Sequence, residues 1–377
     1  MKRSLPFFIL FALACTSCHV SSRTSMYGSG GRSSYNSSAQ NTKNQELLLN
    51  LVRLRYSDTP YFLEVANITT QFTFASKALP SVKIPGVTSQ NLQDTNFNLG
   101  AEFLWQNQPT IQYSPLEGKQ FAMQLMSPLH LQMIQSLIHT GWDVDRVFRI
   151  IVQSMADIPN AMSASGPIPL NQPRYKKFME VMELFRKIQK QGELNVGIRY
   201  IPSKQPSPSD GDNKGPEAYN SIQLTFAADM PEADRLSDLL EGVKLKSGKY
   251  VLNMRQAFNE QAEIGILTRS LLSCMYYLSL GVEVPVKDLV AGIAGQTCCP
   301  GGETFDWTGV VGDLFTVKSS QQKPENAYLA VEYRGSWFYI SENDLSSKRT
   351  FVLLQQIFNL QANQPVGMPP ILSIPLG

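Results

Sequence analysis

The sequence predicts an α+β fold, with mixed antiparallel strands and amphipathic helices, preceded by a signal peptide and a flexible tether. Three observations predict the folded part. Phe97, Leu99, Ala101, Phe103 and Trp105 alternate with polar residues such as Asn98 and Glu102, the period of two of a strand with one buried face. Val144, Val147, Phe148 and Ile151 instead recur at the helical period. Segments of the two kinds follow one another without regular strand–helix–strand alternation, so a doubly wound parallel sheet is not expected.

The chain opens with Met1-Lys2-Arg3, then an almost wholly apolar run from Leu5 to Leu13, then Ala14-Cys15-Thr16-Ser17-Cys18. That run is too short to span a bilayer and reads as a secretory signal. A cysteine after small residues at its end resembles a bacterial lipobox, whose thiol is acylated and becomes the mature N-terminus. Cys15 fits this pattern, and Cys18 is the alternative. No acidic residue follows either cysteine, so inner-membrane retention is not signalled and the outer membrane is the expected address. Residues 1–14 are the expected signal peptide. Residues 15–44, rich in Ser, Gly and Asn, are the expected flexible tether.

A helix is predicted from Asn44 to Tyr56, with Leu47, Leu48, Leu51 and Leu54 on one face and Asp58-Thr-Pro60 as its stop. Tyr61 to Ala75 is a strand by its β-branched and aromatic content. After the strand near Phe97–Trp105, a turn is predicted at Asn107-Gln108-Pro109, followed by a short strand at Thr110–Tyr113. Ser114-Pro115-Leu116-Glu117 reads as a capping box opening the next helix. Ser127-Pro128 restarts the helix, Leu131, Ile134, Leu137 and Ile138 continue its apolar stripe, and Gly141 ends it. Asp143 is a cap for the helix that carries Arg146 and Arg149, both expected on a solvated face. The Pro/Gly/Ser loop from Asn160 to Pro173 is a candidate boundary, so the globular part divides into α+β regions at 45–165 and 173–377.

A helix from Arg174 to Gln191 stops at Gly192, and Leu194 to Ile201 is a strand. A polar insertion near 202–216 is expected to be disordered. Ile222, Leu224 and Phe226 form the strand after it, and a helix opens at Pro231. A hairpin turns at Ser247-Gly248. Ile264 to Leu280 is predicted to be one buried apolar helix, interrupted by Arg269, Ser270 and Ser273. A short helix near Val286–Ala294 and a Cys/Gly loop at Thr297–Gly312 follow. Strands are expected near Leu314–Val317, Ala327–Tyr333 and Trp337–Ile340, with a turn at Arg334-Gly335. A helix spans about Asp344 to Ala362, and Ile371–Ile374 is a last short strand.

Composition narrows the function. Hydrophobic residues make up 43% of the chain, enough for a core, and charged residues only 17%. Loss of Lys2 and Arg3 with the leader leaves the remaining basic residues level with the 31 acidic ones. No basic stripe suits nucleic acid. His130 and His139 lie nine apart on one predicted helical stretch, about 180° from each other, and His19 falls in the tether, so no histidine metal site is expected. No G-x-S-x-G elbow is present, and no cofactor motif is complete, since the glycines Gly292, Gly295, Gly301 and Gly302 lack a P-loop pattern. Glu303 and Asp306, near Trp307, are the carboxylate pair available to a hydrolase. Trp337, Phe338 and Tyr339 form an aromatic strand that would serve packing or a partner. In an oxidising compartment Cys274 is expected to pair with Cys298, or with its neighbour Cys299.

Five stretches, Leu47-Leu-Leu-Asn-Leu-Val-Arg-Leu-Arg-Tyr56, Tyr113-Ser-Pro-Leu-Glu-Gly118, Gly141-Trp-Asp-Val-Asp-Arg-Val147, Arg334-Gly-Ser-Trp-Phe-Tyr339 and Lys348-Arg-Thr-Phe351, resemble a family of bacterial envelope lipoproteins of no established activity. The resemblance implies placement in the envelope and transfers no functional residue. The resulting expectation is a non-enzymatic protein held to the membrane by an N-terminal lipid and working through contacts with other envelope proteins. The alternative is a periplasmic hydrolase that acts on glycan or peptide through carboxylates.

Overall fold

The computed structural model describes residues 31–78, 101–201, 219–240, 243–244, 247–255 and 264–362. Cys15, Cys18 and His19, the polar insertion and the strand expected at Ile371–Ile374 lie outside the described residues. Helices and mainly antiparallel sheets are interspersed along the chain, so the fold is α+β. The chain divides into two units, Met1–Asn44 with Leu63–Leu116, and Gln45–Phe62 with Glu117–Gly377.

In the first unit, strands β1 (Leu63–Ala78) and β2 (Ala101–Pro115) pair antiparallel from Leu63 opposite Pro115 to Ala78 opposite Ala101. The turn expected at Asn107-Gln108-Pro109 is not made, because β2 runs straight through it. Pro109 sits opposite Thr70. In a two-stranded ribbon both strands are edges, where a missing donor is tolerated. Ser114 and Pro115 belong to β2 as well, so the capping box does not form. The next helix starts at Lys119 behind Gly118, whose φ is +94°.

Helix α1 (Gly31–Arg55) begins inside the stretch read as tether. Its first part is polar, and hydroxyls there bond back one turn, Ser37 to the Ser33 carbonyl and Thr42 to that of Ser38. Within the second unit Leu48, Leu51 and Leu54 are fully buried. The helix ends in a Schellman turn: Ser57 takes a φ of +61°, Ser57 N–H bonds the Leu54 carbonyl, and Asp58 N–H that of Arg53. Asn50 then holds the chain beyond the turn by bonding both the N–H and the carbonyl of Tyr61.

The second unit continues with α2 (Lys119–Met126), α3 (Leu131–His139) and α4 (Val144–Ile151). A sheet follows from β3 (Val152–Met155), β4 (Ile158–Pro159), β5 (Asn195–Ile201), β6 (Tyr219–Ala227), β7 (Val243–Lys244), β8 (Lys249–Arg255) and β9 (Ile264–Thr268). Its strand order is β4-β3-β9-β8-β6-β5, with β7 also on β8, and only β8 and β9 are parallel. Ile222, Leu224 and Phe226 face Met254, Leu252 and Tyr250 across β6 and β8, a run of buried cross-strand pairs. Because β3 pairs with β9, the Pro/Gly/Ser loop between them in sequence is no domain boundary.

Helix α5 (Lys176–Lys190) buries Phe178, Val181, Met182, Phe185 and Ile188 at helical spacing. Helix α6 (Pro231–Leu240) buries Leu236 and Leu240. The segment predicted as one apolar helix is the strand β9 followed by α7 (Leu271–Ser279). Arg269 and Ser270 mark the junction, and the Ser270 hydroxyl accepts from Ser273 N–H as the helix cap. The described residues end with α8 (Val286–Val290), an antiparallel sheet of β10 (Lys318–Ser320), β12 (Ser336–Ser341) and β11 (Ala327–Tyr333), and α9 (Leu345–Ala362). Arg334 and Gly335, at φ +50° and +70°, make the predicted turn between β11 and β12. Phe338 packs inward, and Lys323 stands 5.4 Å over the Trp337 ring.

The helix α4 arginines are not solvated. Arg149 is 3% exposed and grips both carboxylate oxygens of Asp313 at 2.6 Å, with the Val310 carbonyl as a further acceptor. Arg146 bonds Ser346 and Thr350 of α9. Periodicity put these residues on the polar face, but that face is covered by the chain around Asp313 and by α9. The Asp143 side chain likewise pairs with Arg186 at 2.5 Å and does not cap α4. Gln189 accepts from Val144 N–H in its place.

Burial works to raise the pKa of Asp313, but the bidentate bond from Arg149 outweighs it and holds the carboxyl below its ordinary value. A depressed folded-state pKa adds stability above the ordinary carboxylate value of about 4, and that share is lost as pH falls further. Asp313→Asn is expected to destabilise by about 2 kcal/mol, less than for a fully buried pair because Asp313 faces water. Urea denaturation at neutral pH and at pH 3 checks this: the gap between parent and variant narrows at the lower pH.

Candidate functional site

The β3–β4 hairpin turns at Ala156 and Asp157, whose φ values are +48° and +58°. Both are left-handed, as a two-residue turn of this kind demands, but neither is glycine. Ala161, two residues past β4, is a third such position at +47°. Left-handed backbone at a non-glycine residue costs roughly 1 kcal/mol or more, and such strain concentrates at functional sites.

Ala156 and Asp157 border an open groove of two adjoining stretches. One stretch of about 790 Å³ is lined by Ala156, Asp157, Ile158 and Pro159, by Asn171 through Lys177, and by Cys298 and Pro300. An adjoining stretch of about 470 Å³ shares Pro159 and Asn171–Arg174 and continues to Met162, Ser163, Pro169 and Leu170. The two ends differ in chemistry. Leu170 is 77% exposed and Met162 40%, beside three prolines. Arg174 on the shared lining and Lys176 and Lys177 at the other end are exposed, and none forms an ion pair among the described residues.

The groove's supports are backbone and buried polar contacts. Cys298 lies in an extended segment fixed on two sides: its N–H bonds the Leu170 carbonyl, its carbonyl accepts from Gln172 N–H, and it bridges Thr304. Thr297 donates to the Pro169 carbonyl at 2.6 Å and accepts from the Trp307 indole at 3.0 Å. The rings of Tyr175, Phe305 and Trp307 stack edge to face behind it. Ala161 N–H bonds the Arg174 carbonyl, tying the strained segment to the start of α5.

The chain matches no protein-family model, no curated protein and no solved structure.

The structure scatters most of the residues singled out by sequence. Cys274, Cys298 and Cys299 are all free thiols, so the expected bridge from Cys274 is not made. Cys274 is buried on α7, donating to the Ile150 carbonyl, and burial pushes its thiol up to about 12. Cys298 stands exposed on the groove. His130 is the exposed N-cap residue of α3, and the His139 ring meets the Val196 carbonyl. Glu303 and Asp306 are exposed, and hydrogen bonds from Thr308 hold the Asp306 carboxyl below its usual range. A general acid needs the opposite shift. Among the described residues no group of three or more His, Cys, Asp or Glu side chains is placed to hold a metal ion.

Sequence reasoning missed the groove because its lining comes from a turn, a loop and a second loop far along the chain. One local signal existed: Pro159, Pro167, Pro169 and Pro173 crowd a segment that cannot hold a long α-helix and has only a 3-10 turn at Met162–Ser165. Ala156→Gly is expected to relieve the turn strain and stabilise the protein by about 1 kcal/mol, worth some 2 °C in Tm for a chain of this size. Differential scanning calorimetry measures it.

Proposed function

We propose that this chain is a lipid-anchored component of the bacterial envelope that faces the periplasm and works by binding other envelope proteins. The observation that carries the placement is the leader: a basic start, a short apolar run and Cys15 after Ala12-Leu13-Ala14, with Cys18 as the alternative acceptor. Acyl chains contribute about 0.8 kcal/mol per buried methylene, and several on one cysteine hold a protein at a bilayer without a spanning helix. No described helix is long and apolar enough to cross a membrane.

The binding role is supported by the groove. It is open, with Met162 and Leu170 in one stretch and Lys176 and Lys177 in the other, and an open site suits a partner segment more than an enclosed substrate. The near balance of charge in the mature chain argues against nucleic acid as partner. The alternative, a carboxylate-dependent hydrolase of glycan or peptide, loses support because Glu303 and Asp306 are exposed and Asp306 is shifted downward.

Radiolabelled palmitate fed to cells producing the protein tests the anchor. Label is expected in the parent and in one of the single variants Cys15→Ala and Cys18→Ala, and in neither form of the double variant's envelope or soluble fraction. Label that persists in the double variant, or a parent never labelled, overturns the anchoring.

A further inference from the structure

The groove's ends also specify what it holds. We infer that it binds an extended, acidic segment of a partner protein, with an apolar side chain of that segment seated between Met162 and Leu170. This rests on the binding role proposed above and deepens it.

Three features point to this ligand. The first is charge. Arg174, Lys176 and Lys177 line the groove against the single acidic side chain Asp157, and no described carboxylate pairs with the three cations. Exposed cations left without partners favour an anionic ligand and raise its rate of encounter. The second is the apolar end. Leu170 at 77% exposure and Met162 at 40% are large apolar side chains held in water beside prolines, and covering them removes that exposure. The third is shape. Two open stretches share the lining Pro159 and Asn171–Arg174, so a ligand segment can run from one to the other along that lining. The exposed amides of Asn171 and Gln172 on that lining each offer a donor and an acceptor to an extended backbone. Extended peptides are read in this way, by main-chain hydrogen bonds with pockets for selected side chains.

Cys298 supplies the readout, since it is exposed and lines the groove while Cys274 is buried. The full chain carrying Cys15→Ser, Cys18→Ser and Cys299→Ser leaves Cys298 as the accessible thiol. A random-peptide display library is selected on this protein and, in parallel, on the same protein with Arg174→Glu and Lys177→Glu. Selection on the first is expected to enrich sequences with Asp or Glu beside Leu, Ile or Met. A synthetic peptide of the enriched sequence should slow modification of Cys298 by a thiol reagent, and more weakly as salt rises. Charge reversal should weaken its affinity roughly tenfold or more, and Leu170→Ser should weaken it at any salt. All three altered residues are exposed, and circular dichroism checks that the variants fold.

Equal enrichment on parent and charge-reversed protein overturns the inference. So does enrichment of basic sequences, an enriched peptide that leaves Cys298 unprotected, or anionic vesicles that protect Cys298 where no peptide does. Loss of the palmitate label would leave this result untouched, and absence of peptide binding would leave the anchor standing, so the two proposals fail separately.

Discussion

A cation without a carboxylate organises the second unit. Arg269, at the joint of β9 and α7, is 1% exposed and spends its guanidinium on backbone oxygen. Nη1 donates to the carbonyls of Arg149, Ile150 and Val152 at 2.8, 3.1 and 3.0 Å, Nη2 to that of Asn160 at 2.5 Å, and Nε to the Ser165 hydroxyl at 3.0 Å. Its face lies 4.1 Å from the centre of the Tyr277 ring. Burial pulls its pKa down, yet guanidinium remains charged in proteins. What compensates the charge is the negative end of α4, whose last carbonyls converge on it, and the electron-rich face of Tyr277.

That arrangement answers where the C-terminal carbonyls of α4 go. Phe148 O takes Val152 N–H, Arg149 O takes Arg269 and Asn160, Ile150 O takes Arg269 and the Cys274 thiol, and Ile151 O takes Arg269 N–H. A helix that ends inside the core would otherwise bury orphan acceptors. The same side chain reaches Asn160 and Ser165 on the strained segment beside the groove. One buried residue thus couples the end of α4, the edge of the sheet, the start of α7 and the segment that carries the groove's apolar end. Two further polar ties secure other parts of the unit. Arg149 clasps Asp313, and Tyr56 donates to the buried Asp288 at 2.5 Å, with burial the main reason the Tyr56 hydroxyl pKa is raised.

How much of this was legible follows from the range of each interaction. Helices with one apolar stripe, such as α5 and α9, were readable because their buried residues recur locally at the helical period. The Arg334-Gly335 turn was readable because Gly335 takes a positive φ without strain and separates two runs of strand residues. The β9–α7 junction was not, since Ile264 to Leu280 is apolar under either period and only pairing with β3 and β8 selects the strand. Arg269, Ser270 and Ser273 were visible there as interruptions, and their meaning as a keystone and a cap needed the tertiary contacts. Arg146 and Arg149 were assigned to solvent because the pattern of α4 marks its polar face without showing what covers it. The groove was illegible for the same reason: its lining is brought together by backbone bonds between Leu170–Gln172 and Cys298. The free state of Cys274 likewise depends on its burial against Ile150.

If Arg269 is what holds α4, the sheet edge and the groove segment in register, removing its donors while keeping its bulk has a defined cost. Arg269→Met leaves the Asn160 carbonyl without its donor and the Ile150 carbonyl with only the weak Cys274 thiol, at about 1–3 kcal/mol for each buried group left short. Hydrogen exchange with urea denaturation on the parent and Arg269→Met proteins tests this most directly. The account predicts a loss of about 4 kcal/mol or more in global stability, with the largest gain in exchange at the amides of residues 156–165. A variant as stable as the parent, with those amides equally protected, would contradict it.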